Sequence, residues 1–276
     1  MKDQIAQEYV GRNITETGLI SKQRCAEIFA TFGWNGDTTT GAILPQLCHW
    51  CAFSPAVPTD NLGADGHPGK GTFLPDIGLE RRMWASGKLE FLQNLHVGET
   101  LTRKATIEKV DIKEGSSGKM AFVTVAHEVF GERGLAIRES QSIVYLAMPK
   151  TFEPPAKRPM PEKKIFEHLY AMPTTRLFRF SAITFNAHRI HFDLPYTKEI
   201  EKYPGLVVHG PMQAMILAKS AADHRQKSLS KFSFRGVHPC FHFDDLYVCA
   251  EAEGSCLNLF AGVPGGHQTM QAQAKW

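Results

Sequence analysis

The 276-residue sequence lacks the features that would place it in several large classes. No apolar run reaches the roughly 18 residues of a membrane-spanning helix, so no membrane partner is expected. The opening, MKDQIAQEYVGRN, has no basic stretch followed by an apolar one; no secretory leader is read there, and a cytoplasmic protein is expected. Neither sign of charge dominates. The 31 Lys and Arg against 28 Asp and Glu leave +3, too little to point to nucleic acid, and no basic helix or helix-turn-helix pattern is present. The six cysteines (Cys25, Cys48, Cys51, Cys240, Cys249, Cys256) form no spaced framework and sit in apolar surroundings, which reads as reduced, buried thiols. Cys48 and Cys51 make one CxxC, but neither a second CxxC nor a His pair stands at zinc-ligand spacing, and no metal is expected. What remains is an ordinary globular composition, 43% hydrophobic and 21% charged, long enough for one large core or two domains.

Proline is concentrated in one place. MPKTFEPPAKRPMPEKK, residues 148–164, holds five of the chain's 16 prolines and breaks both helical and strand periodicity. It reads as a linker between an N-terminal unit, residues 1–147, and a C-terminal unit, residues 165–276. In the first unit SKQRCAEIFATFGW predicts a helix that Ser21 can cap, with Cys25, Ile28, Phe29 and Phe32 on one face. AILPQLCHWCAF predicts a second, buried helix. A Gly- and Pro-rich loop follows from Ser54 to Gly78. KLEFLQNL, ETLTRKATIEKVDIKEG, GKMAFVTVAHEVFGE and AIRESQSIVYLA predict strands, with EGSSGK (Glu114 to Lys119) as a hairpin turn. In the second unit TRLFRFSAIT predicts a strand, PYTKEIEKY a short helix and VVHGPMQAMILAKSAADHR a longer one. The remainder predicts strands joined by Gly turns. KLEFLQNLHVGETL (Lys88 to Leu101) and KFSFRGVHPCFHFDDL (Lys231 to Leu246) share a design, a weak repeat. The simplest architecture is α+β, a helix wrapped by an antiparallel sheet, twice over.

Two segments carry a resemblance: FLPDIGLERRMWASGKLEFLQNLHVGE (Phe73 to Glu99), and FSAITFNAHRIHFD with YPGLVVHGP (Phe180 to Pro211). RIHFD and VVHGP stand 18 residues apart, from His191 to His209. With these, the chain resembles the MaoC-like double hotdog hydratases and dehydratases. Within them it resembles the branch that holds hydroxyacyl-thioester dehydratase type 2, mesaconyl-C4-CoA hydratase and itaconyl-CoA hydratase. The resemblance implies two hotdog folds in one chain, an N-terminal one that has lost the catalytic residues and helps bind substrate, and a CoA-thioester substrate. One departure stands out. The wider motif places an Asp, then four residues, then the catalytic His, with an Asn-Pro pair between; here those positions are Asn186, His188 and Arg189, and the His is His191.

Hydration of an enoyl thioester removes a proton from water, places negative charge on the thioester oxygen and protonates the α carbon. A His titrates near the required range, so His191 is the candidate base. Asn186 cannot titrate but can hold the water. Asp193 could orient His191, or could equally be a helix cap. VVHGP precedes the long helix, whose N-terminus offers free N–H groups and a positive dipole end. The Gly210 N–H is therefore the candidate oxyanion donor, and Pro211 fits the first turn. His188 and His209 could shape the loop or touch substrate. Arg81 or Arg82, beside Trp84, could bind a substrate carboxylate or a CoA phosphate, since a guanidinium pairs with both, or could form a solvated turn. Arg189 is a second candidate for a carboxylate. The expected activity is hydration of a short branched dicarboxylic enoyl-CoA, itaconyl-CoA or mesaconyl-C4-CoA to citramalyl-CoA, as in itaconate degradation. The alternatives are a 3-hydroxyacyl-ACP dehydratase of fatty acid synthesis, a thioesterase, and a non-catalytic acyl-thioester binder. No cofactor is needed, and a homo-oligomer is expected.

Overall fold

The computed structural model describes residues 2–115 and 118–276. In chain order its helices are α1 (Lys2–Gln7), α2 (Lys22–Phe32), α3 (Thr174–Thr184), α4 (Leu194–Glu199) and α5 (Gly210–Arg225). The strands are β1 (Asn13–Leu19), β2 (Arg81–Phe91), β3 (Thr100–Gly115), β4 (Gly118–Gly131), β5 (Gly134–Leu146), β6 (Phe166–Tyr170), β7 (Lys231–Gly236), β8 (Leu246–Glu253), β9 (Cys256–Gly262) and β10 (Gln268–Lys275).

All ten strands join one antiparallel sheet in the order β1-β3-β4-β5-β2-β7-β10-β9-β8-β6. Replacing each of the first five strands by its counterpart in the second half gives the same order read from the other edge. The halves therefore meet at β2 and β7, paired from Ser86↔Arg235 to Glu90↔Lys231. Those are the strands of the weak repeat, with Leu89 opposite Phe232. The arrangement is the expected double hotdog.

The halves are not equally complete. In the C-terminal half α5 is the helix the sheet curls around. Its residues from Met212 to Ala218 are all buried, because it packs on β7 to β10 and has no solvated face along that stretch. The buried second helix predicted for the N-terminal half is not formed. Leu44, Leu47, Cys48, Trp50 and Cys51 are buried as expected, but only Cys48–Cys51 is helical, as a single 3-10 turn. Pro45 supplies no N–H, and Leu47 sits at φ 71, a left-handed conformation that no α-helix continues through. α2 forms as predicted: Ser21 Oγ accepts from the Arg24 N–H at 3.1 Å, Gly33 closes the helix at φ 73, and Cys25, Ile28, Phe29 and Phe32 are buried.

TRLFRFSAIT is corrected from strand to helix, as α3. Leu177, Phe180 and Ser181 face the core at helical spacing, while Phe178, 65% exposed, faces the other way and had suggested alternation. Arg81 and Arg82 are not in a solvated turn: β2 begins at Arg81 and runs through the centre of the sheet. β1 and β6, the two edge strands, had no counterpart in the sequence reading. β3 and β4 pair as far as Gly115↔Gly118; Ser116 and Ser117, the tip of the predicted hairpin, lie outside the described residues. Residues 148–164 contain no helix or strand, only an isolated bridge from Pro159 to His267. No described helix is long and apolar enough to cross a membrane.

Candidate active site

A cavity of about 1060 Å³ opens where the two halves meet. Its walls include the loop 54–78, the start of β2, the 148–164 segment, the turn between α3 and α4, the first turn of α5 and the chain from Gly236 to Cys240. The segment from Phe180 to Pro211 thus reaches the cavity twice, and the N-terminal half supplies the opposite wall.

His191 ends a 3-10 turn, Arg189–His191, and is 7% exposed. Its Nδ1 lies 2.7 Å from the Val207 carbonyl oxygen. A carbonyl only accepts, so Nδ1 carries the hydrogen and Nε2 carries the lone pair of the neutral ring. Burial, then neighbouring His209 and His188, hold its pKa well below 6.5 against the pull of the Val207 bond. The ring is therefore a neutral base at pH 7. His209, N-terminal neighbour of α5, stacks on it with centroids 3.6 Å apart at 18°. Burial, with His188 adding to it, pushes His209 down to about 3, and its Nε2 meets Ser181 Oγ at 2.9 Å.

Gly210 opens α5 and lines the cavity with Pro211. An added Cβ there would meet nothing closer than Met270 Cε at 3.9 Å and the Trp84 oxygen at 4.0 Å, so the protein leaves room beside this helix N-terminus. Asn186 lines the cavity; its Oδ1 accepts from the His188 N–H at 3.0 Å and holds the turn that carries the histidines. Trp84 is a cavity wall, its Nε1–H donating to the Ser86 carbonyl at 2.9 Å and its ring edge-on to Trp50.

Two sequence expectations are redirected. Asp193 does not reach His191. Its Oδ1 caps α4 by accepting from the Tyr196 N–H at 3.1 Å, and its Oδ2 accepts from Arg189 Nε and Nη2 at 2.9 and 2.8 Å. Arg189 is thereby committed to Asp193, and through Nη1 to the Ala64 carbonyl at 3.0 Å; it is not among the cavity-lining side chains. Its function in the fold is to fasten the loop 54–78 onto the histidine turn. The Arg189 N–H also donates to the Asp65 carbonyl at 2.9 Å. At Gly66 (φ +86) an added Cβ would come within 1.9 Å of the Ala187 carbonyl oxygen. Only glycine allows that contact.

This loop brings in residues the sequence reading missed. Asp65 Oδ2 accepts from His67 Nδ1–H at 2.9 Å, and its Oδ1 accepts from the His67 backbone N–H at 3.0 Å. The His67 ring packs against His188, centroids 4.0 Å apart. Its side chain keeps 23% of its surface open and lines the cavity. Burial pushes it down to about 4, against the favourable pull of Asp65. Asp65 itself is held below the usual carboxylate range by its bonds to His67, in spite of its burial. Asp65, His67 and His188 bring ligand-type atoms within 4.8 Å of one another, a grouping no local spacing displays. Beyond it, His188 Nε2 is 3.7 Å from Glu201 Oε1. Glu201, 3% exposed, pairs with Arg81 Nε at 2.7 Å, and Arg81 also donates to Tyr203 Oη. Arg82, 8% exposed, donates to the Pro68 carbonyl and lines the cavity. The 148–164 segment adds Phe152, edge-on to Tyr203 and Phe241. Within the loop, an Asp-x-His among dense glycines (ADGHPGKG) was the available signal.

Comparison with known proteins places the chain in a family. The family model for hydroxyacyl-thioester dehydratase type 2 matches residues 46–242. The chain is 39% identical over 245 residues to a mesaconyl-C4-CoA hydratase of Chloroflexus aurantiacus, covering 86% of this chain and 85% of that one. Among solved structures it is similar to a MaoC-like dehydratase (12% identity, 98% of this chain and 99% of that one, TM-score 0.73). It is similar also to a Mycobacterium tuberculosis protein described as a double hotdog (11% identity, 96% and 95%, TM-score 0.56). The chain belongs to the hydroxyacyl-thioester dehydratase type 2 family and is a hydro-lyase with a double hotdog fold.

Proposed function

We propose that the chain hydrates a short branched dicarboxylic enoyl-CoA, of the mesaconyl-C4-CoA or itaconyl-CoA kind, to citramalyl-CoA. The observation that carries this reading is the combination in one cavity of a neutral His191 with its lone pair free, an uncrowded helix N-terminus, and a charged wall containing Arg81, Arg82 and Glu201. The similarity to a mesaconyl-C4-CoA hydratase supports the same substrate class.

In the proposed reaction, water sits between Asn186 and His191 Nε2. His191 takes its proton as the oxygen adds to the β carbon. Negative charge moves to the thioester oxygen, which the Gly210 N–H and the positive end of the α5 dipole stabilise. For the conjugated mesaconyl-C4-CoA, to which these steps apply, the His191 imidazolium then protonates the α carbon. The surroundings that hold the ring neutral at rest make that imidazolium a ready proton donor. His209, stacked on His191 and bonded to Ser181, fixes the plane of the base. Every step uses groups of this chain and water.

A second reading, dehydration of a 3-hydroxyacyl thioester carried on ACP, uses the same groups in reverse. It is favoured by the exposed Phe178, Phe185 and Phe192 along the cavity, which suit a longer apolar chain. The test follows the loss of enoyl-thioester absorbance with mesaconyl-C4-CoA, crotonyl-CoA and a long linear enoyl thioester, and the formation of citramalyl-CoA from itaconyl-CoA, whose double bond is not conjugated to the thioester. Turnover highest on mesaconyl-C4-CoA and itaconyl-CoA is the expected result. Turnover only of linear substrates refutes the dicarboxylate reading and supports the second.

A further inference from the structure

Four histidines form a chain of ring contacts, and three of them, His191, His188 and His67, line the cavity. Ring centroids are 3.6 Å apart for His209 and His191, 5.3 Å for His191 and His188, and 4.0 Å for His188 and His67. Gly210 directly follows His209, so the thioester oxygen belongs at that end, and the carbon that receives water belongs at His191. A substituent on that carbon, pointing away from the thioester, falls at His188 and His67. That end is charged. Arg82 borders His67 and donates to the carbonyl of the next residue, Pro68. The other two arginines of the region are already paired, Arg81 with Glu201 and Arg189 with Asp193.

We propose that His67 and Arg82 form a receptor for a carboxylate carried on the carbon that is hydrated, and that His67 takes up a proton when that carboxylate binds. The proposal rests on the dicarboxylic reading above and deepens it. In mesaconyl-C4-CoA, the carbon β to the thioester bears a methyl and the free carboxylate, which places the anion one bond from the reacting centre.

Hydrogen-bond chemistry makes the proton necessary. His67 Nδ1–H is bound to Asp65, so the neutral ring offers the cavity only the Nε2 lone pair. A lone pair repels a carboxylate; an N–H donates to it. The groups facing His67 are Asp65 on its own loop, Arg82 from β2, and His188 and His191 from the histidine turn, with Glu201 behind His188. Of these, Asp65 favours the charged ring, while Arg82, the other histidines and burial oppose it. An incoming carboxylate offsets the Arg82 charge, and an opposite charge within hydrogen-bond reach typically raises a His pKa by roughly 1–3 pH units. His67, held at about 4 in the empty site, then titrates closer to neutrality in the complex. The sign follows: the bound state holds the proton more tightly than the free state. Carboxylate binding is therefore strongest at low pH and weakens by up to about tenfold per pH unit as pH rises between the two values.

The test is titration calorimetry on the full chain with two unreactive thioesters of the same shape. One is the methylsuccinyl-CoA with its carboxylate on the β carbon; the other is isovaleryl-CoA, with a methyl in its place. Each is run at pH 5.5 and pH 6.5 in two buffers of different ionisation enthalpy. Methylsuccinyl-CoA is expected to take up protons beyond the isovaleryl-CoA background and to bind about threefold more weakly at pH 6.5 than at pH 5.5. Isovaleryl-CoA shows no such slope. His67→Gln, whose amide can still donate to Asp65, should lose the extra protons and the slope while binding isovaleryl-CoA as the parent does. Arg82→Gln should weaken methylsuccinyl-CoA by about tenfold or more with isovaleryl-CoA unchanged. Equal proton counts for the two ligands overturn the proposal, as does a His67→Gln variant that keeps the slope or weakens both ligands alike. Hydration of mesaconyl-C4-CoA without proton-coupled binding removes the receptor and leaves the function; proton-coupled binding without hydration does the opposite.

Discussion

Replacing Gly210 by alanine separates folding from catalysis at the proposed oxyanion donor. The added Cβ would lie 3.9 Å from Met270 Cε and 4.0 Å from the Trp84 oxygen, both ordinary contacts, so nothing in the protein has to move. Gly210 has no positive φ that alanine would strain. In the first turn of a helix, alanine restricts the unfolded chain more than glycine does and is worth about 0.5–1 kcal/mol of stability. The fold should thus be retained or slightly strengthened. Gly210 lines the cavity, so on the proposed placement the methyl crowds the thioester oxygen at the α5 N-terminus. Losing one such donor typically costs about 10²–10³ in kcat, or roughly 2.7–4 kcal/mol of barrier. The assay pairs the enoyl-thioester absorbance decay with a calorimetric melting scan. The expected outcome is a Tm equal to or above that of the parent with kcat reduced at least about a hundredfold. A variant that keeps kcat within a few-fold at unchanged Tm would refute the placement of the thioester at α5.

Three further outcomes are expected. His191 is held neutral by burial and its neighbouring histidines, so its base form persists as pH falls; the acid limb of kcat/KM for crotonyl-CoA should lie well below pH 6.5, and an inflection at or above that value contradicts the assignment. Gly66→Ala combines the αL penalty of about 1–2 kcal/mol with a Cβ forced onto the Ala187 carbonyl. It should free the loop 54–78 from the histidine turn, seen as faster proteolysis within the loop and a large loss of kcat/KM, while the global melting transition moves little. Glu139 is a buried carboxylate that accepts from Trp50 Nε1, Gln141 Nε2 and His49 Nε2 at 2.8–3.2 Å, and these partners hold it down to about 2 despite burial. Its folded-state pKa is depressed, so the stability it contributes is fully present above about 4.5 and is lost as pH falls towards 2. Glu139→Ala should cost about 3–5 kcal/mol in urea denaturation at pH 7. A loss under 1 kcal/mol would show that the network relaxes around the gap.

What was legible in the sequence depended on how local the signal was. α2 and α5 carry their own caps and faces, Ser21 with Gly33 and the Gly210-Pro211 start, so their positions followed from short spacings. His191 and Gly210 sit in one contiguous segment, and the fold brings them to the same cavity. α3 was misread because Phe178 turns an apolar side chain to the cavity, adding a non-core position to the apolar pattern. The missing helix of the N-terminal half turns on backbone conformation at Leu47, which composition does not display. Asp65 and His67 reach the site across more than 100 residues of chain. Their partners are the Arg189 N–H and His188, and such pairings are set by the join of the two halves and not by any local pattern. Asp193 was drawn toward catalysis by its closeness in sequence to His191, whereas α4 needs it as a cap.

The central claim is that a neutral His191 is the base that adds water to the enoyl thioester. The direct measurement is the rate of absorbance loss on mixing mesaconyl-C4-CoA with the parent protein and with His191→Ala, each shown to melt cooperatively. The account predicts rapid hydration by the parent and a drop of at least about 10²-fold in the variant, the usual range for a lost general base being about 10²–10⁴. Hydration by a folded His191→Ala protein within tenfold of the parent would contradict it.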